Sequence, residues 1–523
     1  MGPRSATAAT PDADSQSSPA GTPPRTGATP TVEGAIACRA LVDGRDPIHG
    51  AVRPAAVRVG DPVAARVRAA GRAAVAAQVW RISPFAAEIV RSPALGAISV
   101  GDALELTLRV GASETTLRRV PIVGFREERG RELVALRWAP DAAPTDEAAG
   151  EKRAASRWEC GVEYVPTGVT PSAVKYSDFI HFRIAEISRT GMRLVTSLRN
   201  KFLVPGVVFE ATCAFPTVGE VRVAFRVVHV RVVSEGGKEA LALGTTYAVR
   251  DARSLERIGQ YLLQFGAGTT MTELRATGFP VRESHRAVDF GFAQTPEEYR
   301  EVLALRRLAY VHAKKASADV KDVDMGDGFD ASSRIVFARH AGRIVASVRL
   351  MFPRAATDRL KHEDYLALPS LPPRDQIVEA SKACTHPDFR GGDLFYRMMN
   401  LAALTTMQAG RRFILMSCTP SLLPVYSKLG FRPIRAEYVH PSMRLAHQVL
   451  IAEVAHMVGG VHMNPVVWHL VDGPGLWDFA CRCDVVPRTR WLDARVAFYK
   501  LFAPVARLVE PFALRRIARL SRR

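Results

Sequence analysis

Ile344-Val345-Ala346-Ser347-Val348-Arg349-Leu350-Met351-Phe352 is an apolar run with a single arginine set into it. Its period and composition predict a buried strand. A buried charge is costly unless paired, so Arg349 needs partners. Candidates stand on either side in sequence: Arg306 in Leu305-Arg306-Arg307-Leu308-Ala309-Tyr310, Asp327 and Asp330 in Asp327-Gly328-Phe329-Asp330, and Glu379 with Lys382 in Val378-Glu379-Ala380-Ser381-Lys382. Each lies beside apolar positions that read as core. Acids and bases arriving together on core positions imply a polar site inside a fold, and an enzyme is the leading reading.

The chain has 523 residues, too many for one core, and about three domains are expected. No apolar run approaches the ~20 residues of a membrane span, and the first residues lack the apolar segment of a signal peptide. A cytoplasmic protein is therefore expected. Seven cysteines are scattered without the spacing of a disulfide framework, and Cys481-Arg482-Cys483 has no second ligand pair nearby, so no metal site is assigned. The formal charge of +19 suits nucleic acid, anionic lipid or an acidic protein partner. No helix-turn-helix or RNP-type signature accompanies it, which disfavours nucleic acid.

Composition divides the chain. Residues 1–33 are Ala, Pro, Ser, Thr and Gly, a disordered lead-in with little to bury. Residues 34–141 hold short Val- and Ala-rich runs of period two, an all-β domain. After a polar linker, residues 151–266 form a second all-β domain closed by a helix near 252–265. From 287 to 445 the texture is α/β, with strands near 334–339, 344–352, 377–385 and 413–417 and a helix near 394–409. Residues 446–523 read as a helical, basic tail.

The second β domain carries Arg153-Ala154-Ala155-Ser156-Arg157 and, downstream, Glu186-Ile187-Ser188-Arg189-Thr190-Gly191. Together these resemble the PilZ family, small β-barrels that bind cyclic di-GMP through R-x-x-x-R and a strand-borne [DN]-x-S-x-x-G. The resemblance implies that Arg153, Arg157, Glu186, Ser188 and Gly191 hold the nucleotide. Arginine forks suit phosphates and guanine edges, and glycine permits close backbone approach. Glu186 departs from the family's Asp or Asn by one methylene. Arg81-Ile82-Ser83-Pro84-Phe85-Ala86-Ala87 in the first β domain can be laid over the same motif, with Arg for the acid and Ala for Gly. That domain reads as a degenerate copy without ligand.

The buried charges resemble the acyl-homoserine-lactone synthases and N-acyl amino acid synthases of the GNAT fold. Leu305, Arg306 and Tyr310 match L-R-x-x-x-[FY]; Asp327 and Asp330 match D-x-x-D; Val348-Arg349-Leu350 matches V-R-L. Glu379, Ser381 and Lys382 match E-x-S-R, with Lys for Arg. The resemblance implies acyl transfer to an amine, with catalytic residues Glu379, Arg349, Arg306, Asp327, Asp330 and Lys382. Glu379 is the base candidate, directly or through water, and backbone N–H groups around Ala383-Cys384 are the oxyanion donors. Phe389-Arg390-Gly391-Gly392-Asp393-Leu394-Phe395 stands where coenzyme-A-dependent members cradle pyrophosphate. Asp393 falls where glycine is wanted and is expected to repel the phosphates. An acyl carrier protein, acidic against this basic chain, is thus the expected donor partner rather than coenzyme A.

The fold class expected is multidomain: two all-β PilZ-like barrels, an α/β GNAT-like domain and a helical basic tail. The function expected is a cyclic di-GMP-regulated N-acyltransferase, joining a fatty acyl group to a small amino acid-like amine. The alternative is a non-catalytic receptor with a degenerate acyltransferase domain. Residues 491–523 alternate apolar clusters with arginine, and form either a helix on an anionic membrane or one packed on the protein.

Overall fold

The computed structural model describes Asp46, Ile48, His49 and residues 52–138 and 156–509, apart from 176, 356, 442, 443, 472, 485, 487 and 507. The lead-in at 1–33, the linker at 142–150, Arg153 and the last fourteen residues lie outside the described residues.

In the first β unit, eight strands from Ala55–Ala56 to Arg131–Arg137 form one antiparallel sheet. The sheet curls because one long strand, Ser113–Glu128, pairs along its first half with Ala103–Val110 and along its second with Arg131–Arg137. Its two edge strands, Ala55–Ala56 and Val75–Ala77, do not pair with each other among the described residues. This corrects the expectation of two barrels: the first sheet is curled but open. The second does close. Six antiparallel strands form a ring, because Thr167–Pro171 pairs both with Val208–Phe215 and with Phe179–Ser188. Arg157–Glu159 is added outside it. Helix α1 (Ala252–Phe265) starts where Asp251 accepts from the Ser254 N–H and buries Ile258, Tyr261 and Leu262. A short helix α2 (Met271–Ala276) follows, capped by Thr270.

The third sheet consists of β1 (Asp289–Phe292), β2 (Ser333–His340), β3 (Arg343–Met351), β4 (Ile377–Thr385), β5 (Phe413–Cys418), β6 (Arg432–Val439) and β7 (Ala446–Glu453). Their order is β1-β2-β3-β4-β5-β7-β6. Helix α3 (Pro296–His312) opens with a capping box between Thr295 and Glu298, and α4 (Leu394–Gln408) buries Met398, Met399 and Ala402. Strand β7 corrects the boundary drawn at 445. Residues 446–453 lie in the sheet between β5 and β6 and bury Val449 and Leu450, so they belong to it rather than to the tail.

Only the β4–β5 pair is parallel in this sheet, and it ends early. Ile377, Val378 and Glu379 face Phe413, Ile414 and Leu415, after which β4 keeps partners on β3 alone. The two strands splay apart immediately after Glu379. On the β3 side, Ser347 pairs with Cys384 and Arg349 with Ser381, so β4 carries one extra residue between them. Lys382, inside that bulge, has φ 51. A non-glycine residue there is strained by ~1–2 kcal/mol, held in place by its surroundings.

A single apolar cluster runs from Trp158 and Phe182 in the barrel through Leu262 and Phe279 to Val348, Met398 and Tyr499. Barrel and acyltransferase-like sheet thus share a core. Helix α5 (Leu423–Lys428) borders the splay, and α6 (Arg490–Lys500) packs Leu492, Val496 and Tyr499 inward while Trp491 and Phe498 stay exposed.

Candidate active site

Arg306 on α3 is wholly buried and reaches the loop before β2. It donates from Nη1 to Asp330 Oδ2 at 2.8 Å and from Nη2 to Asp330 Oδ1 at 3.3 Å, a two-pronged pair. Arg349 on β3 is 1 % exposed and completes the network. It donates to Asp330 Oδ1 at 3.1 Å, to Asp327, and through Nε to Ser381 Oγ at 2.8 Å. Lys382 Nζ sits 3.0 Å from Asp327 Oδ2 and donates to the Met325 carbonyl at 2.6 Å. Tyr299 donates to Asp330 at 2.8 Å. Three cations and two carboxylates therefore pair with one another inside the fold.

Burial raises the Asp330 carboxyl, but the hydrogen bond and charge of Arg306, with Lys382 and Tyr299, outweigh it and hold it at about 2. Burial likewise raises Asp327, and Arg349 with Lys382 bring it below the usual range. Burial and Arg306 lower Lys382, against the pull of the two acids. The network locks the Met325–Asp330 loop against β3 and β4.

Glu379 is brought near this network but not into it. It is fully buried, and its carboxylate caps a turn: Oε2 accepts from the Lys361 N–H at 2.7 Å and Oε1 from the His362 N–H at 3.2 Å. His362 Nδ1 lies 2.5 Å from Oε1. His362 was not singled out from sequence, since it sits in the irregular Leu360–Glu363 turn and carries no motif. Its contact with Glu379 is set entirely by the way that turn folds back over β4.

A cavity of about 680 Å³ joins these groups, walled by Arg349, His362, Glu379, Lys382, Tyr426 and Tyr438 among others. A second, of about 220 Å³, lies beyond the splay against Ala309, Cys384, Arg390, Gly391 and Phe395. Tyr310, Lys315, Ala383, Leu422 and Tyr426 line both, so the two spaces meet in the gap between β4 and β5. Ala383 stands at the bulge, on the strand that has lost its β5 partner. Burial keeps the phenols of Tyr310 and Tyr426 protonated well above their ordinary range. Tyr365, Tyr438, His440 and His447 form a ring cluster on the far wall, with Tyr365 and Tyr438 stacked at 4.8 Å.

Asp393 does not face the second cavity as expected. Its Oδ1 accepts from the Ser284 N–H at 2.7 Å, the Ser284 hydroxyl at 3.1 Å and the His285 N–H at 3.3 Å, and Oδ2 contacts the His285 ring. The carboxylate is turned to the segment before β1. Asp393 therefore does not set its charge against a phosphate-bearing donor.

In the barrel, Glu186 lies 2.8 Å from Arg193 and 3.5 Å from Arg157. Ser188 Oγ accepts from the Gly191 N–H at 3.0 Å and donates to its carbonyl at 2.9 Å, closing the hairpin. A Cβ on Gly191 would come within 2.8 Å of the Thr245 carbonyl, so glycine is required. The first β unit repeats this hairpin. Ser83 bonds the N–H and carbonyl of Ala86, and a bulge precedes Arg81 as one precedes Glu186. Glu186 faces Arg193 across the second hairpin and Arg81 faces Glu88 across the first, so the pair is reversed in charge. Arg126 further ties Glu88, which is 1 % exposed.

Residues 305–400 match the acetyltransferase (GNAT) domain family. Solved structures with similar folds include a putative N-acetyltransferase from Lactobacillus plantarum, 16 % identical over 32 % of this chain and 99 % of that one, TM-score 0.26. FeeM, an N-acyl amino acid synthase from uncultured soil microbes, is 10 % identical over 33 % of this chain and 94 % of its own, TM-score 0.27. The MrkH–c-di-GMP complex of K. pneumonia is 16 % identical over 39 % of this chain and 86 % of its own, TM-score 0.20. No curated protein matches the chain. The third sheet with its splay and helices carries this GNAT-like acyltransferase region at residues 305–400.

Proposed function

We propose that the chain is an N-acyltransferase that moves a fatty acyl group from a thioester to a small amine, under control of cyclic di-GMP bound to the barrel. The observation that carries the catalytic part is the splay after Glu379, which joins two cavities beside a buried ion network. The thioester enters from the Arg390–Gly392 side, with its carbonyl at the gap. The amine occupies the larger cavity. Glu379 and His362 form the proton-accepting pair: the imidazole takes the amine proton as nitrogen attacks the thioester carbon, and Glu379 stabilises the resulting cation. Backbone N–H groups at the Lys382–Ala383 bulge stabilise the tetrahedral oxyanion. Collapse breaks the C–S bond; the Tyr426 hydroxyl, kept protonated by burial, donates a hydrogen bond to the departing sulfur, and the proton taken by His362 balances the released thiol.

Arg306, Asp327, Asp330, Arg349 and Lys382 act as the frame that holds the bulge and the Met325–Asp330 loop, and the same network leaves Lys382 and Arg349 facing an acceptor carboxylate. With Asp393 turned away, carrier protein as donor rests on the basic surface of the chain. In the barrel, Arg157 and the Glu186–Arg193 hairpin surround the proposed nucleotide site.

The test is release of free thiol by the purified chain from decanoyl-carrier protein and from decanoyl-coenzyme A, with a mixture of amino acids as acceptors. Amine-dependent thiol release supports the reading, and its donor preference decides between the two carriers. Hydrolysis without amine dependence, or no release from either, contradicts it.

A further inference from the structure

The loop that would receive the donor is not held by the acyltransferase domain alone. Arg275, on α2 between barrel and sheet, spends its guanidinium on main-chain carbonyls. Its Nη1 donates to Arg390 O at 2.7 Å, Nη2 to Gly391 O at 3.1 Å and Nε to Val281 O at 2.9 Å. One turn earlier, Thr272 Oγ1 donates to Asp388 O at 3.2 Å. Met271 packs against Gly392, where a Cβ would meet its Cε at 2.9 Å. Asp393 is anchored to Ser284 and His285 in the same connecting segment. With the carbonyls of Arg390 and Gly391 drawn towards α2, that stretch of loop is held along one side of the second cavity, whose wall it forms.

The residues that follow α2 touch the barrel at its motif hairpin. Arg189, between Ser188 and Gly191, lies against Gly278, where a Cβ would be 3.0 Å from its Nε. The next residue, Phe279, meets Trp158 edge-on at 5.7 Å, and Trp158 directly follows Arg157. Phe279 is itself tied back to α2 by its N–H on the Leu274 carbonyl at 2.8 Å.

We infer that Arg275 is a positioning residue of the donor subsite, and that a ligand on the Arg157/Ser188 hairpin acts on catalysis through α2 by setting that grip. The inference rests on the donor reading above. A shift of the hairpin moves Gly278 and Phe279, α2 follows as a rigid turn, and the Arg390–Gly392 backbone moves with Arg275. The α2 segment touches both the hairpin and the loop, and this contact on either side gives the coupling a physical carrier.

The experiment uses the full chain and a non-transferable probe, the thioether analogue of decanoyl-pantetheine, titrated calorimetrically with and without cyclic di-GMP. The wild type binds the thioether, and saturating nucleotide changes its affinity. Arg275→Ala weakens thioether binding about tenfold, the scale of losing charge-assisted hydrogen bonds to the loop. It also removes the nucleotide effect while leaving nucleotide affinity in the absence of thioether unchanged. Arg275→Lys, which keeps the charge and one donor, restores part of both. A general loss of fold would lower nucleotide binding and would not be mended by lysine. Equal thioether binding by wild type and Arg275→Ala, with the nucleotide effect intact, overturns the inference but leaves the acyltransferase reading standing. No thioether binding by the wild type overturns the donor reading itself.

Discussion

Arg306 and Asp330 are each other's reason for being buried. Replacing Arg306 by leucine leaves Asp330 with Arg349, Tyr299 and the more distant Lys382 and should cost about 3 kcal/mol, the lower end for breaking a buried ion pair because those partners survive. Denaturant unfolding checks this, and a cost below about 1 kcal/mol would contradict the network's tightness. The pH dependence follows from the same pair. Asp330 sits at about 2 in the fold against an ordinary 3.8, so the unfolded chain takes up its proton first. That contribution is complete above about pH 4 and is lost as pH falls towards 2. Asp330→Asn should flatten the acid limb of the stability profile over that window. These partners were legible in the sequence because charge set into apolar runs has few places to go. The surroundings of Glu379 were not: its caps, Lys361 and His362, arrive from a turn whose path no local pattern fixes. Nor could the sequence say which way Asp393 points, since a loop carboxylate beside glycines can face either side.

The elements were read from period and punctuation, and those with strong signals lie where the residues put them: β3, β4 and α4 match runs at 344–352, 377–385 and 394–409 to within a residue or so. The bulge in β4 and the early end of its pairing with β5 left no such trace, because both depend on which neighbour the strand meets. Closure of a sheet is equally non-local, so the two β units looked alike while only the second is a ring. Their hairpins differ in a way that makes a prediction. Arg81 and Arg126 are engaged by Glu88 and Glu128 in the first, whereas Arg157 in the second is 48 % exposed at its side chain. Cyclic di-GMP should therefore bind one site per chain by equilibrium dialysis. Arg157→Ala should abolish it and Arg81→Ala leave it unchanged. Two sites, or loss on replacing Arg81, would show that the first hairpin is not degenerate.

Across the whole molecule, barrel and third sheet share one apolar core, and the connecting segment is packed between them rather than strung as a tether. The C-terminal helices add a surface of another kind. Trp491, Phe498, Leu501, Val505 and Leu508 recur at helical spacing and are 46–75 % exposed, between Arg488, Arg490 and Lys500. We propose that this stripe rests on anionic lipid, its apolar side chains in the headgroup region and its cations outside. Sedimentation with phosphatidylglycerol vesicles should carry the chain down, with a blue shift of Trp491 fluorescence relative to Trp491→Phe. Equal partition to neutral phosphatidylcholine vesicles, or none to either, contradicts that placement. No helix among the described residues is long and apolar enough to cross a membrane.

The central claim is chemical, and mass spectrometry of lipid extracts tests it most directly. Cells expressing the wild type are compared with cells expressing Glu379→Gln, each at low and high cyclic di-GMP. An N-acylated amine is expected in the wild type alone, its amount changing with nucleotide, and its mass identifies both acceptor and chain. Identical lipid profiles from the two proteins under both conditions would contradict the account and leave a receptor built on an acyltransferase fold.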